Sequence, residues 1–303
     1  MDNVSAVTPQ EVCTRVVNWI KPNDFRTLTS LCLTSKAFHH AAESRLYHQL
    51  YFTDSLTAHY VCQTIASCDR IALHVKTFWT LFNERRWNSP RNHLNPQFWD
   101  VVHLALRKMH NLRVIAIGDP SCPSAWIFRQ CQFQLQDAEL RMDWDADLVR
   151  LLDTQPQLHT LRITNPRLSS TELDRLPLLA LPQRALPSLR IFDGSLIAAI
   201  EFASSPITHL QVSLSQGGAE DAGHLLKRLA MFSGTLTSIS VIDVPYPVSL
   251  WAFDLFSLIF PHVRHLGIIP LPFSDVSRLC PVYARQTLII DVGPSRGTNF
   301  IKS

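Results

Sequence analysis

The chain lacks the short motifs that build nucleotide and catalytic zinc sites. It has only nine glycines in 303 residues, and no stretch reads G-x-G-x-x-G, G-x-x-x-x-G-K-[ST] or H-E-x-x-H. Such motifs work because they place backbone N–H groups or paired ligands at a fixed spacing. No two cysteines are spaced C-x-x-C, and His103 and His110 are seven residues apart rather than four. We therefore expect a protein that is not an enzyme and holds no cofactor and no metal.

The sequence also lacks an apolar run of membrane-spanning length. Its most apolar late segment, VSLWAFDLFSLIF, covers about 13 residues and includes Asp254, whereas a spanning helix needs about 20 apolar residues. The first 25 residues contain no apolar run typical of a signal peptide. Seven cysteines, an odd number set mostly among apolar neighbours, are typical of reduced thiols. We expect no membrane contact and a location in the cytoplasm, the nucleus or both.

Charge is scarce as well. Charged residues make up 17% of the chain and the net charge is +3, which gives no reason to expect a nucleic-acid partner. Apolar residues make up 46%, so a substantial core is expected. A chain of this length exceeds the usual size of one compact core. It should form either two domains or one elongated repeat array.

Three short amphipathic helices are predicted over residues 8 to 50. Thr8 and Glu11 match a capping box, with Pro9 at the first helical position. Asp24 and Ser35 are placed to cap the second and third helices. The first helix has one predicted apolar face, formed by Val12, Val16, Trp19 and Ile20. A further helical pattern follows between residues 54 and 67.

Later in the chain one pattern recurs, in which a helical stretch, a breaker residue and then L-x-x-L-x-L follow one another. The clearest copies end at Ile117, Ile163 and Ile268, and a weaker ninth copy begins at Arg285. The last two apolar residues lie two apart, so both point to one face of a strand that a neighbouring helix covers. One such unit cannot bury its apolar face alone. Stacked units predict a parallel sheet with helices outside, an α/β fold.

The same spacing predicts which side chains point away from the core. In LHTLRIT the inward pair is Leu161 and Ile163, which leaves Arg162 on the other, concave face. Repeat proteins of this architecture tend to bind partners on that face. The residues predicted there are Trp79, Glu139, Arg141, Asp143, Arg162, Asp193, His209, Gln211 and His265. The alternative is a solvated face with no partner.

The first 52 residues resemble an F-box, the three-helix module that binds the adaptor Skp1. The family's opening Leu-Pro-x-Glu appears as Thr8-Pro9-Gln10-Glu11, and its step into the second helix as Asp24-Phe25. Its Leu-Val-Ser-Lys-x-Phe/Trp segment appears as Leu33-Thr34-Ser35-Lys36-Ala37-Phe38. Thr8 and Thr34 depart from the family's apolar residues. Residues 70 to 303 resemble the irregular leucine-rich repeats that often follow an F-box, with residues 53 to 69 as a linker helix.

The resemblance implies a substrate-recognition subunit of a Skp1-cullin-F-box ubiquitin ligase. The F-box would dock on Skp1, and through it on a cullin, while the repeats bind an unidentified target protein. Ubiquitin transfer belongs to other subunits, so no catalytic residues are expected. The adaptor surface would consist of Pro9, Val12, Val16, Phe25, Leu28, Leu31 and Leu33. The alternative function is a repeat scaffold without a ligase role, whose first helices only cap the repeats.

Overall fold

The computed structural model describes residues 9–21, 24–81, 97–118, 124–164, 181, 186–213, 226–244, 256, 258–270 and 288–291. They belong to two compact units, Met1–Leu135 and Gln136–Ser303. The three initial helices do not form a unit of their own. The third helix runs directly into a strand and also packs on the short helix Asp69–Ala72. All of these elements therefore share one unit.

The first unit begins with the three predicted helices, α1 (Gln10–Trp19), α2 (Phe25–Cys32) and α3 (Lys36–His48). Asp24 and Ser35 cap α2 and α3 as predicted, with Thr27 N donating to Asp24 Oδ1 at 3.1 Å and Phe38 N donating to Ser35 Oγ at 3.3 Å. Pro9 is the N-cap of α1 rather than its first helical residue, a shift of one position. Thr8 lies outside the described residues.

A parallel arrangement of three strands completes the first unit. Its elements are β1 (Gln49–Phe52), α4 (Ser55–Ser67), α5 (Asp69–Ala72), β2 (Thr77–Leu81), α6 (Phe98–Lys108) and β3 (Val114–Gly118). β2 pairs in parallel with β1 and with β3. The sequence placed the end of the third helix at Leu50, which is wrong. Leu50 and Phe52 alternate with exposed neighbours and form a strand, because only one side of β1 faces the core.

The second unit consists mainly of parallel strands, with short helices between some of them. Its elements are β4 (Asp137–Arg141), α7 (Ala146–Asp153), β5 (Thr160–Ile163), β6 (Ile191–Ser195), α8 (Leu196–Glu201), β7 (His209–Ser213), β8 (Ser238–Val244), β9 (His265–Pro270) and β10 (Leu288–Asp291). From β4 to β9 each strand pairs in parallel with the next. The predicted α/β fold with parallel strands is confirmed.

The ninth copy of the pattern does not continue the parallel series. β10 pairs with β9 in antiparallel direction, with Asp291 opposite His265. Among the described strands of the second unit, the parallel series therefore ends at β9. Arg285, where the copy was expected to begin, lies outside the described residues.

The predicted strand register is confirmed by burial. Leu161 and Ile163 are buried on β5, whereas Arg162 between them is exposed. β6 and β7 repeat this alternation, with Phe192 and Leu210 buried. We call the less buried side of these strands the open face.

Candidate functional site

Helix α1 carries two apolar stripes, and only one of them is buried. Cys13 and Val17 face the core of the three helices. Val12, Val16 and Trp19 are 46%, 44% and 92% exposed. Their spacing of four and three residues puts them on one side of the helix, about 100° from the buried side. We call Val12, Val16 and Trp19 the α1 stripe.

The predicted adaptor residues of α2 divide between surface and core. Phe25 is 55% exposed, Leu33 directly after the helix is 86% exposed, and Leu31 is half-buried. Leu28 is completely buried with Val17 and Ala42, so it cannot offer surface to a partner, and its assignment to the adaptor surface is corrected. Pro9, the N-cap of α1, is exposed. Trp19 was missing from the predicted set, although its position seven residues after Val12 could have placed it there.

The open face of the second unit carries a row of polar side chains at paired strand positions. Glu139, Arg162, Asp193 and Gln211 pair in succession across β4, β5, β6 and β7. Arg162 Nη1 lies 3.8 Å from Glu139 Oε2. Burial raises the pKa of Asp193, against the opposite effects of a hydrogen bond with Gln211 and of the Arg162 charge. We call these four residues the polar row.

The remaining predicted residues of the second unit lie at the edges of this row. His209 and His265 are exposed and flank Ser238 at paired positions of β7, β8 and β9. Arg141 is half-buried at the end of β4. Asp143 does not lie on the strand as predicted, because β4 ends at Arg141 and the chain turns towards α7, which Asp145 caps. The sequence therefore placed the polar row correctly and extended β4 too far.

The first unit has an aromatic pair on the open side of β1 and β2. Tyr51 and Trp79 are paired strand positions, and their ring centroids lie 5.7 Å apart. Tyr51 is exposed and Trp79 half-buried, as predicted for Trp79. Sequence reasoning missed Tyr51, because it ended the third helix one residue earlier. The alternation from Gln49 to Phe52 was the available signal.

The described residues form no metal centre and no membrane-spanning helix. No three His, Cys, Asp or Glu side chains group closely enough to hold a metal ion in the described ranges. None of the helices described is both long and apolar enough to cross a bilayer. The segment 293–297 reads G-x-S-x-G, the spacing found around the nucleophilic serine of many hydrolases. It lies outside the described residues.

No protein-family model matches the chain, and no curated protein matches it in sequence.

Proposed function

We propose that this chain is the substrate-recognition subunit of a Skp1-cullin-F-box ubiquitin ligase. In this proposal residues 10–48 form the F-box, and the parallel strands with their helices are an irregular leucine-rich-repeat array that binds a target protein. The chain itself supplies no catalytic residue, because ubiquitin transfer takes place on other subunits. The proposal also places the protein in the cytoplasm or the nucleus.

The observation that carries the proposal is the exposed apolar surface of α1 and α2. Trp19 and Leu33 are large apolar side chains that remain almost fully accessible, although the same helices bury Val17 and Leu28 completely. Burying one such side chain stabilises a complex by about 1.5–3 kcal/mol. Apolar surface concentrated on one small helical module is typical of a protein-protein interface. The F-box-like segments from residue 8 to 11 and from 33 to 38 indicate Skp1 as the partner.

The contacts of α3 favour the second candidate function, a repeat scaffold without a ligase role. Helix α3 packs against α5 and β1 within the first unit, as a cap on a strand array would. A helical cap buries its apolar side on the array that it covers. The α1 stripe instead remains exposed. The contacts of α3 thus fit a cap, whereas the exposed stripe of α1 favours adaptor docking as the role of α1.

The open faces of the strands are the proposed target-binding surfaces. The aromatic pair Tyr51–Trp79 offers large rigid rings, and the polar row offers alternating acid, base and amide groups. Aromatic and arginine side chains contribute much of the binding energy in protein interfaces. The target should therefore be a folded or extended protein segment with both apolar and charged groups.

A binding assay with purified Skp1 tests the proposal on the full chain. We expect the double variant Trp19→Ala/Leu33→Ala to bind at least tenfold more weakly, because about 1.4 kcal/mol of lost apolar burial is a factor of ten. The matched control is Leu56→Ala/Leu104→Ala, which truncates exposed apolar side chains of α4 and α6 and should bind like the wild type. If the wild type fails to bind while an intact F-box protein binds, the ligase role is wrong.

A further inference from the structure

A cleft of about 470 Å³ lies between α1 and α3 in the first unit and is also lined by Arg70 of α5 and by His74. One wall is the polar side of α1, which includes Asn18. The three residues of the α1 stripe lie about 100° to 160° from Asn18 around the helix, since each residue advances by about 100°. The cleft is therefore separate from the proposed adaptor surface, and what it binds does not depend on the ligase role.

All ionisable side chains that line the cleft are basic. They are His40, Arg45, His48, Arg70 and His74. A carboxylate, that of the buried Glu43, lies behind the lining. It accepts a hydrogen bond from Arg70 and lies 3.2 Å from His39 Nε2 and 3.8 Å from His74 Nε2. Glu43 thus compensates the charge of Arg70 and faces His74.

Arg45 has no such compensation. Its Nε is buried and has no hydrogen-bond partner among the described residues, and no ion pair there includes it. Removing a guanidinium donor from water without giving it an acceptor is unfavourable. An anion in the cleft would supply the negative charge that Arg45 lacks among the described residues.

Two imidazoles that line the cleft, those of His48 and His74, have lowered pKa values. The pKa of His48 is lowered by burial and by the charges of Lys76, Arg45 and His74. The pKa of His74 is also lowered, first by burial and then by Arg70 and His40, while Glu43 acts in the opposite direction. A bound anion would favour the protonated imidazoles and so raise both pKa values.

We propose that this cleft binds a small molecule that carries both phosphate and hydroxyl groups, of the sugar phosphate class. Arginine and protonated histidine donate charge-assisted hydrogen bonds to phosphate oxygens. The amide of Asn18 and the hydroxyl of Ser44 can pair with ligand hydroxyls. No large apolar side chain lines the cleft, and its volume suits a small molecule.

Calorimetric titration of the full chain tests this site with glucose 6-phosphate and ribose 5-phosphate as probes. At least one of them should bind tenfold more tightly than inorganic phosphate, and glucose should not bind. Arg45→Gln should weaken that binding at least tenfold. The control variant Arg15→Gln removes an exposed arginine of α1 that does not line the cleft, and it should bind like the wild type.

Protonation gives an independent measurement. Binding should be tighter at pH 6.0 than at pH 7.5 and should take up protons, visible as a heat that depends on the buffer's ionisation enthalpy. His48→Gln should reduce that proton uptake. If Arg45→Gln does not fold, His48→Gln serves as the test variant in the titration instead. The proposal is wrong if neither probe binds, or if Arg45→Gln binds the probes as tightly as Arg15→Gln does. It is also wrong if the chain binds a phosphoserine peptide and neither sugar phosphate.

Discussion

Tyr51 of β1 and Trp79 of β2 form an aromatic pair at opposite strand positions, with ring centroids 5.7 Å apart and planes inclined by 42°. Tilted rings at this distance attract each other through the negative face and positive edge of their π-systems. The pair links the first two parallel strands on their accessible side. It should therefore contribute to stability as well as to recognition.

A double-mutant cycle with Tyr51→Ala and Trp79→Ala should reveal this coupling in urea unfolding. We expect an interaction free energy of about 0.5–1 kcal/mol, the lower part of the usual range because Tyr51 is exposed. Trp79→Phe keeps an aromatic ring and should retain most of the coupling. Strict additivity of the two alanine substitutions would show that the rings do not interact.

The helices of the first unit were predictable because local signals agree with packing. Asp24 and Ser35 begin α2 and α3 through side-chain caps, and the apolar spacing behind them is helical. β1 was missed, since its alternation covers only four residues and no breaker separates it from α3. A short strand acquires its conformation from its neighbour β2, which lies far along the chain.

The candidate surfaces were predictable on the strands, where side chains alternate between the buried and the exposed side every second residue. The two-residue period of β5 correctly predicted that Arg162 faces away from the core. Helix periodicity could not decide between Phe25 and Leu28, which lie near one another on α2. One is exposed and the other completely buried, because α1 and α3 cover only part of the apolar side.

The cleft was not predictable from sequence spacing. Arg45 and Arg70 come from separate helices, and the fold alone brings them to one cavity. No sequence motif links residues that only the packing of separate helices brings together.

Replacing Gly194 with alanine should destabilise the second unit by about 1–3 kcal/mol, the usual cost of overpacking a core. A Cβ at this position would lie 2.8 Å from the carbonyl oxygen of Ile163 and 2.8 Å from Cζ of Phe192. Phe192 is fully buried against Phe202, with ring centroids 4.9 Å apart, so it has little room to move. Chemical denaturation of the purified variant measures the effect.

Gly234 provides the matched control for this substitution. A Cβ there would meet no atom within 4 Å, so Gly234→Ala should be neutral or slightly stabilising. Equal stability of the Gly194→Ala and Gly234→Ala variants would contradict the tight packing of Phe192 over the strand.

Glu43→Ala should destabilise the first unit by about 2 kcal/mol. The carboxylate is buried and accepts from Arg70, with His39 and His74 nearby. Breaking a buried ion pair costs about 3–5 kcal/mol, and the half-exposed Arg70 lowers that figure because water can solvate it. Urea unfolding at neutral pH provides the measurement.

An exposed ion pair supplies the comparison for Glu43. Lys108 Nζ lies 2.6 Å from Asp69 Oδ1, but both side chains are accessible to water. Lys108→Ala should therefore cost less than about 1 kcal/mol. A Glu43→Ala effect as small as this would show that the carboxylate is not part of a cooperative cluster.

The thiol of Cys62 should make the first unit less stable at high pH. Cys62 is completely buried on α4, and burial raises the pKa of its thiol from 9.0 to about 12. Above pH 9 the unfolded chain loses this proton while the folded chain keeps it, so the free energy of unfolding falls as pH rises. The loss is about 1.4 kcal/mol per pH unit between pH 9 and 12, or about 2 kcal/mol by pH 10.5.

Two variants without the thiol, Cys62→Ala and Cys62→Val, isolate its share of this pH dependence. They will differ from each other in absolute stability because one creates a cavity and the other changes the shape of the side chain. Between pH 8 and pH 10.5 the free energy of unfolding of both variants should rise by about 2 kcal/mol relative to that of the wild type, since neither variant has a thiol proton to lose. Urea unfolding at the two pH values measures the change. If the free energy of unfolding changes with pH equally in the variants and the wild type, the Cys62 thiol ionises as readily in the folded protein as in the unfolded chain.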